Sequence, residues 1–388
     1  MRIILLFIAW LLPLGLNAGF ETLRTFQKSA IENEITGSNV VMVYQDGRVV
    51  YYHAQNSGKS GDKDISPNTI FPIWSMSKPI TIVAMMTLYE TGLIDFDDPV
   101  SKYIPEFADI QCQSEDGPYD CENELKVIHL LTHRSGYSYP FVSNQKGTAS
   151  SIRYDNLESF AKDVANTPLA FEPGEKYLYG LNQAILGRIA EVATGKTFYE
   201  YLKEAVFEPL EMTNTKFHLT DGERASRFQP LFINTGVLKG FTFELNELSY
   251  SEESEAYYGG EGLVSTMTDY SKFCRMLLNG GSLNGKKIIT PKSIGLITQK
   301  HSETFPMEEF GHSNKLGFLM GFSFFVLDDP EVDRSGAPKG IYGWAGYHNT
   351  HFWIDPETNL FALFMSRARG VPSEFQQSLR KAVYDSLK

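Results

Sequence analysis

A chain of 388 residues with 42% apolar and 13% aromatic side chains can fill a sizeable core, which excludes an intrinsically disordered protein. Its formal net charge of −12 is spread along the sequence. Nucleic acid and anionic membrane surfaces are therefore not expected as partners, because neither would be attracted to it.

The first 18 residues have the composition of a signal peptide. A single cation, Arg2, precedes an apolar run over residues 3–16, and Ala18 is a small residue suited to a cleavage site. A retained membrane anchor is the alternative, but the run is short for a span and is interrupted by a proline and a glycine. We expect export to the periplasm or the extracellular space, with residues 19–388 as a single domain and no stable membrane span after signal removal.

Strand-like patterns occur towards both ends of the mature sequence, and helical patterns dominate its middle. In chain order we predict a helix over 20–35, a hairpin with strands over 40–45 and 48–53, helices over 80–89, 125–132, 157–165, 184–194, 198–210 and 270–278, strands over 319–327, 340–344, 348–354 and 360–366, and a last helix over 373–387.

This order predicts an α+β fold with one antiparallel sheet built from both termini and flanked by helices. The sheet subdomain would comprise residues of about 19–75 and 260–388, and a mostly helical subdomain of about 76–259 would be inserted between them. A ligand cleft is expected where the two subdomains meet.

The cysteines and histidines do not suggest a metal or a cofactor. Cys112 and Cys121 flank a short acidic segment, and in an exported protein such a pair predicts a local disulfide. Cys274 lies in a helical run and is expected to be buried. His129 and His133 are one turn apart and could share a metal, but no third ligand supports this, so a capping or core role is favoured.

The strongest chemical signal is a Ser-x-x-Lys motif, Ser75 to Lys78, at the start of an apolar helix. A spacing of three places the lysine amine within reach of the serine hydroxyl. Burial and the positive end of the helix both favour the neutral amine, which can accept a proton. The alternative is an N-capping serine beside a surface lysine. Other Ser-x-x-Lys matches, at 60/63, 143/146 and 378/381, lie in polar or solvated stretches.

A second candidate is Tyr179, which follows a turn and precedes a helix, much as Ser75 does. Its phenol could relay a proton if a neighbouring ammonium stabilised the phenolate. It could equally be one of the 20 tyrosines that pack a core.

Five segments in their order along the chain resemble the serine β-lactamase-related family, which includes class C β-lactamases, D,D-peptidases and esterases. They are residues 71–81, 129–136, 171–174 before Tyr179, 259–264 and 343–356. The resemblance implies a β-lactamase/transpeptidase-like fold, with Ser75 as the acylated nucleophile, Lys78 as its partner base and Tyr179 in the second motif.

Two motifs depart from the commoner family pattern. The asparagine expected two positions after Tyr179 is replaced by Leu181. The third motif would be Trp344-Ala345-Gly346, where only the glycine matches the commoner forms, although a Trp-x-Gly version resembles the esterase branch. The resemblance also implies that the backbone N–H groups of Ser75 and Tyr347 form an oxyanion hole.

These departures favour a neutral acyl substrate, because Trp344 offers an apolar face where a lysine or histidine would hold a carboxylate. We therefore expect a serine hydrolase that acts on an ester or related small-molecule acyl substrate. Activity as a β-lactamase or D-amino-acid peptidase on cell-wall-like peptides is one alternative. A catalytically weak binding module on the same fold is the other.

Overall fold

The structure is a computed structural model that describes residues 19–139, 154–242, 250, 253–301 and 317–388, so the predicted signal peptide lies outside the described residues. The strands of these segments, β1 to β16 in chain order, are Asn39–Gln45, Arg48–Gln55, Ile70–Pro72, Gln111–Ser114, Gly117–Asp120, Leu231–Ile233, Gly240–Thr242, Val264–Thr266, Ser282–Leu283, Lys286–Lys287, Phe318–Met320, Phe325–Leu327, Tyr342–Gly346, Thr350–Asp355, Leu360–Met365 and Ala368–Arg369.

The α-helices of the same segments, α1 to α11 in chain order, are Glu21–Glu32, Ser77–Glu90, Val127–Leu131, Leu157–Ala165, Asn182–Thr194, Phe198–Leu202, Asp221–Ser226, Met267–Leu278, Pro291–Thr298, Pro330–Asp333 and Phe375–Asp385. None of the helices in the described segments is both long enough and apolar enough to cross a membrane.

The largest sheet combines strands from both ends of the chain. Its seven antiparallel strands lie in the order β11-β12-β13-β14-β15-β1-β2. Strand β1 joins the N-terminal hairpin to the C-terminal meander by pairing with β15, from Val40 opposite Met365 to Gln45 opposite Leu360. The predicted α+β fold with a sheet built from both termini is thus confirmed. The proposed subdomain boundaries remain a prediction.

Both faces of this sheet are covered, because successive strand residues point to opposite sides. On β1, Val41 and Val43 pack with α1 and α11 in one core cluster, whereas Val40 and Tyr44 join the larger cluster around α2. The sheet therefore lies between a pair of terminal helices and the helical part of the molecule, a layered arrangement that buries apolar side chains on both sides.

Helix α2 runs through the larger core. It is apolar almost all round, and its residues from Ser77 to Met86 are buried, as expected for a helix with no solvent-facing side. Strand β3 leads into it and pairs with β8, with Ile70 opposite Thr266. The hydroxyl of Tyr270 on α8 donates a 2.9 Å hydrogen bond to Met76 O. These contacts fix the start of α2 against the layer that packs on the sheet.

Three predicted elements differ from those observed. The strand predicted over 319–327 is two strands, β11 and β12, separated by a turn in which Ser323 has φ of 48°. The strand predicted from His348 begins only at β14, because Asn349 turns with φ of 68° and donates to Gly346 O. The helix predicted over 198–210 ends as α6, and a π-helical turn follows over Lys203–Phe207. Local hydropathy does not register these backbone turns.

The cysteine predictions are confirmed. Cys112 and Cys121 form a disulfide across the β4–β5 hairpin, with their Cα atoms 5.1 Å apart. Cys274 on α8 is free and buried.

A buried ion pair connects α11 to α10, and we expect its removal to lower the stability of the protein. Arg380 Nη2 lies 2.5 Å from Asp333 Oδ1, and both side chains are at most 2% exposed. We expect Arg380→Leu to lower the free energy of unfolding by about 3–5 kcal/mol, because it leaves a buried charge without its partner. Urea unfolding measures this effect.

The neighbouring Lys381→Leu serves as the control. Lys381 pairs with Asp385 at the surface, and exposed pairs contribute at most about 1 kcal/mol. Equal losses in the two variants would contradict the importance assigned to the buried pair.

Candidate active site

The predicted nucleophile lies in a tight turn before α2. Ser75 is the middle residue of a 3₁₀ turn over Trp74–Met76, and Trp74 has φ of 47°. A bulky residue rarely adopts this left-handed conformation, and such strain often accompanies functional sites. The turn places Ser75 at the N-terminal end of α2, with Lys78 in the first helical turn.

The amine of Lys78 is fully buried and has three oxygen partners. Its Nζ lies 3.3 Å from Ser75 Oγ, 2.9 Å from Tyr139 OH and 2.8 Å from Gly260 O. A lysine ammonium has three donors, so this set can satisfy all of them. The surface-lysine alternative is wrong, because Lys78 points into the protein and towards Ser75.

Tyr179 completes a contact around the serine. Its hydroxyl donates a 2.7 Å hydrogen bond to Ser75 Oγ, and Lys78 Nζ lies 4.7 Å from the centre of its ring. The next residue, Gly180, packs directly against the backbone of Tyr137, because a β-carbon on Gly180 would overlap Tyr137 O. Ser75 therefore lies within hydrogen-bond reach of both candidate proton carriers, which come from separate segments of the chain.

Leu181 leaves no side-chain amide at the position where the resemblance implies an asparagine. Asn182 does not substitute for it, because its amide is buried and contacts Ser135 Oγ at 2.5 Å and His133 Nδ1 at 2.9 Å. Burial, with a smaller contribution from the charge of Lys78, holds the pKa of His133 well below its usual value. His133 is thus a neutral core residue.

His129 has the capping role favoured above, since its Nδ1 accepts a hydrogen bond from Lys126 N. Burial lowers the pKa of its imidazole to about 4.

Strand β13 lies against the nucleophile turn. A β-carbon on Gly346 would overlap Ile73 O and Thr350 Oγ1, so only glycine allows the strand to come this close. Trp344 is 7% exposed, and its ring lies 6.0 Å from that of Tyr179 and stacks on Phe325. The apolar face predicted for the third motif is therefore beside Ser75 and Tyr179.

The remaining residues of the predicted oxyanion segment are half-buried Ala345 and Tyr347, which is 62% exposed. Tyr347 contacts the Trp74 ring edge to face at 5.4 Å. Trp74 Nε1 also donates a 2.9 Å hydrogen bond to Nδ1 of His348. Burial keeps the pKa of His348 well below its usual value, so its neutral ring can accept this bond. The nucleophile turn is thus tied to the end of β13.

Two residues of the site did not stand out in the sequence. Tyr139 contacts Lys78, and its hydroxyl donates a 3.0 Å hydrogen bond to Glu261 Oε2. The only local signal was a carboxylate within the glycine-rich segment around Gly260.

Of the competing Ser-x-x-Lys matches, Lys63 donates to Ala225 O and Lys381 pairs with Asp385. The match at 143/146 lies outside the described residues.

Comparison with known proteins identifies the family of this chain. The sequence profile of the Beta-lactamase family matches residues 28–384. The chain is 27% identical over 372 residues to lovastatin esterase of Penicillium rubens, covering 87% of this chain and 90% of that protein. It is 24% identical over 383 residues to esterase EstB of Burkholderia gladioli, covering 92% and 93%. The protein therefore belongs to the Beta-lactamase family, which places it among the serine hydrolases.

A solved structure shares the fold. The structure of "EstCE1, a hydrolase with promiscuous acyltransferase activity" superposes with a TM-score of 0.79 at 23% identity, covering 95% of this chain and 99% of that one. Other relatives are named as candidate D-alanyl-D-alanine carboxypeptidases.

The close approach of β13 to the nucleophile turn leads to a stability prediction. We expect Gly346→Ala to destabilise the protein by about 1–3 kcal/mol, because the added methyl group overlaps backbone and side-chain atoms that cannot move freely. Thermal unfolding measures the loss.

The control is Gly295→Ala in helix α9, where a β-carbon meets no atom within 4 Å. Alanine favours a helix over glycine by up to about 1 kcal/mol, so this variant should be neutral or more stable. An unchanged stability of Gly346→Ala would contradict the tight contact.

Proposed function

We propose that this protein is an exported serine hydrolase that forms a covalent acyl-enzyme with an ester or related small acyl substrate. The observation that carries the proposal is the position of Ser75 Oγ, 2.7 Å from Tyr179 OH and 3.3 Å from Lys78 Nζ. A serine hydroxyl is a weak nucleophile until a neighbouring base accepts its proton. Export rests on the composition of residues 1–18 alone.

The first half-reaction acylates the enzyme. Ser75 Oγ attacks the substrate carbonyl while its proton passes to the amine of Lys78, so one C–O bond forms, and the O–H bond of Ser75 breaks as an N–H bond forms. The tetrahedral intermediate then collapses with cleavage of the ester C–O bond. Tyr179 delivers a proton to the departing alkoxide and is reprotonated from Lys78. The alcohol leaves, and the acyl group stays on Ser75.

The second half-reaction reverses these roles with water as the nucleophile. The same groups accept a proton from water and return one to Ser75 Oγ as the acid is released. In both halves, negative charge develops on the carbonyl oxygen. The backbone N–H groups of Ser75 and Tyr347 are the proposed donors to it, and such donors are typically worth about 3 kcal/mol each.

The lining of the site supports a neutral acyl substrate. Trp344 and half-buried Leu181 stand where the commoner family motifs have a cationic residue and an amide. Tyr347 packs on Trp74, the residue before Ser75, and adds aromatic surface there. An apolar, aromatic wall retains an acyl or alkyl group without providing a partner for a substrate carboxylate. The names of the esterase relatives agree with this preference.

Two other functions remain candidates. The relatives named as candidate carboxypeptidases support cleavage of a D-amino-acid peptide or a β-lactam. The replaced motif residues, Leu181 and Trp344, support a binding module that is acylated slowly and releases no product.

Substrate preference separates the candidates. We expect a short-chain p-nitrophenyl ester to be hydrolysed with a higher kcat/KM than a chromogenic cephalosporin, because Trp344 stands where the commoner third motif has a carboxylate-binding side chain. Ser75→Ala should abolish the ester activity.

The matched control is Ser60→Ala, which alters an exposed serine of a competing Ser-x-x-Lys sequence and should leave the activity unchanged. Efficient cephalosporin turnover would overturn the esterase preference. A single burst of product without steady-state turnover would favour the binding module.

A further inference from the structure

We propose that Tyr139 and Glu261 form a positioning relay behind Lys78, which holds its amine towards Ser75 and stabilises the ammonium that forms when it accepts the proton of Ser75. The relay rests on the proposed function. Neither residue touches Ser75, so both act through the lysine.

The relay is a continuous chain of hydrogen bonds. Lys78 Nζ lies 2.9 Å from Tyr139 OH, which in turn lies 3.0 Å from Glu261 Oε2. A phenol has one proton and can also accept. Because Tyr139 donates its proton to the carboxylate, a lone pair of its oxygen faces the amine of Lys78. Glu261 thereby orients Tyr139 as an acceptor for the protonated lysine.

The glycine-rich segment holds Glu261 in place against α2. Thr81 Oγ1 donates a 2.7 Å hydrogen bond to Gly259 O, and Lys78 itself contacts Gly260 O. A β-carbon on Gly259 would lie 2.7 Å from Thr81 Oγ1. The glycines thus allow the backbone to approach α2 closely, and the carboxylate that follows is delivered beside Tyr139.

Glu261 is the acidic group of the relay and reaches Lys78 through Tyr139. Burial raises the pKa of its carboxyl, and the charge of Lys78 opposes that rise. Burial likewise raises the pKa of Tyr139 well above its usual value, so Tyr139 stays protonated. The other described titratable groups that interact with members of the relay are His133, Tyr177, Tyr179, Tyr250 and Tyr258.

These neighbours do not supply a competing charge. His133 is neutral because burial lowers its pKa, and burial raises the pKa of Tyr177 and Tyr250 and brings that of Tyr258 to about 12. Among the described residues named here, Glu261 is therefore the acidic side chain that can offset the ammonium formed when Lys78 accepts the Ser75 proton. Its carboxylate stabilises that ammonium, and this stabilisation is lost when the carboxylate is removed.

The test is the pH dependence of ester hydrolysis and of Ser75 labelling by a fluorophosphonate. Glu261→Gln keeps the size of the side chain and removes its charge. We expect the acid limb of kcat/KM to move to lower pH by about one unit or more, as removal of a nearby opposite charge predicts. Glu261→Asp restores the charge and should return the limb towards that of the wild type. Tyr139→Phe, which keeps the ring, should move the limb in the same direction as Glu261→Gln.

Glu357→Gln is the charge-matched control, since Glu357 lies exposed in the turn between β14 and β15 and should leave the profile unchanged. Equal activity loss at every pH, with an unmoved acid limb in both Glu261→Gln and Tyr139→Phe, would reduce the pair to a structural role and overturn the relay alone. A wild-type protein whose Ser75 is not labelled at any pH would overturn the proposed function and the relay with it.

Discussion

The buried amine of Lys78 is the group around which the site is arranged. Burying an amine costs several kcal/mol unless its hydrogen-bonding capacity is satisfied. Its three oxygen partners belong to the nucleophile turn, the segment after α3 and the glycine-rich segment before β8. The hydrogen bonds that satisfy this one amine therefore join three distant parts of the chain. The same hydrogen bonds orient the amine towards Ser75.

The fold supports this arrangement from two sides. Pairing of β3 with β8 holds the segment that leads to Ser75, and α2 carries Lys78 at the start of a helix that is buried in an apolar core. On the other side, Gly346 allows β13 to lie against Ile73, and the Trp74–His348 hydrogen bond joins the turn to the end of that strand. The strained backbone of Trp74 is thus supported by contacts from the sheet.

Much of this architecture was predictable because it depends on local patterns. The apolar run of α2 and the Asp46-Gly47 hairpin can be recognised from a few consecutive residues. The family resemblance identified Ser75, Lys78 and Tyr179, whose side chains lie together. Their catalytic roles remain predictions. The Tyr139 and Glu261 contacts join residues 61 and 122 positions apart, and no local pattern encodes them. The turn at Asn349 was missed for a different reason, since it is a local backbone turn that hydropathy does not register.

The most direct test of the account is to observe the acyl group itself. Wild-type protein mixed with a p-nitrophenyl ester and quenched within the first turnover should gain the mass of one acyl group, located on the peptide that contains Ser75. Tyr179→Phe should accumulate this adduct more slowly, because it retains the ring but loses the hydroxyl that donates to Ser75 Oγ. An adduct on another residue, or the same adduct in Ser75→Ala, would contradict the central claim that Ser75 is the nucleophile of this site.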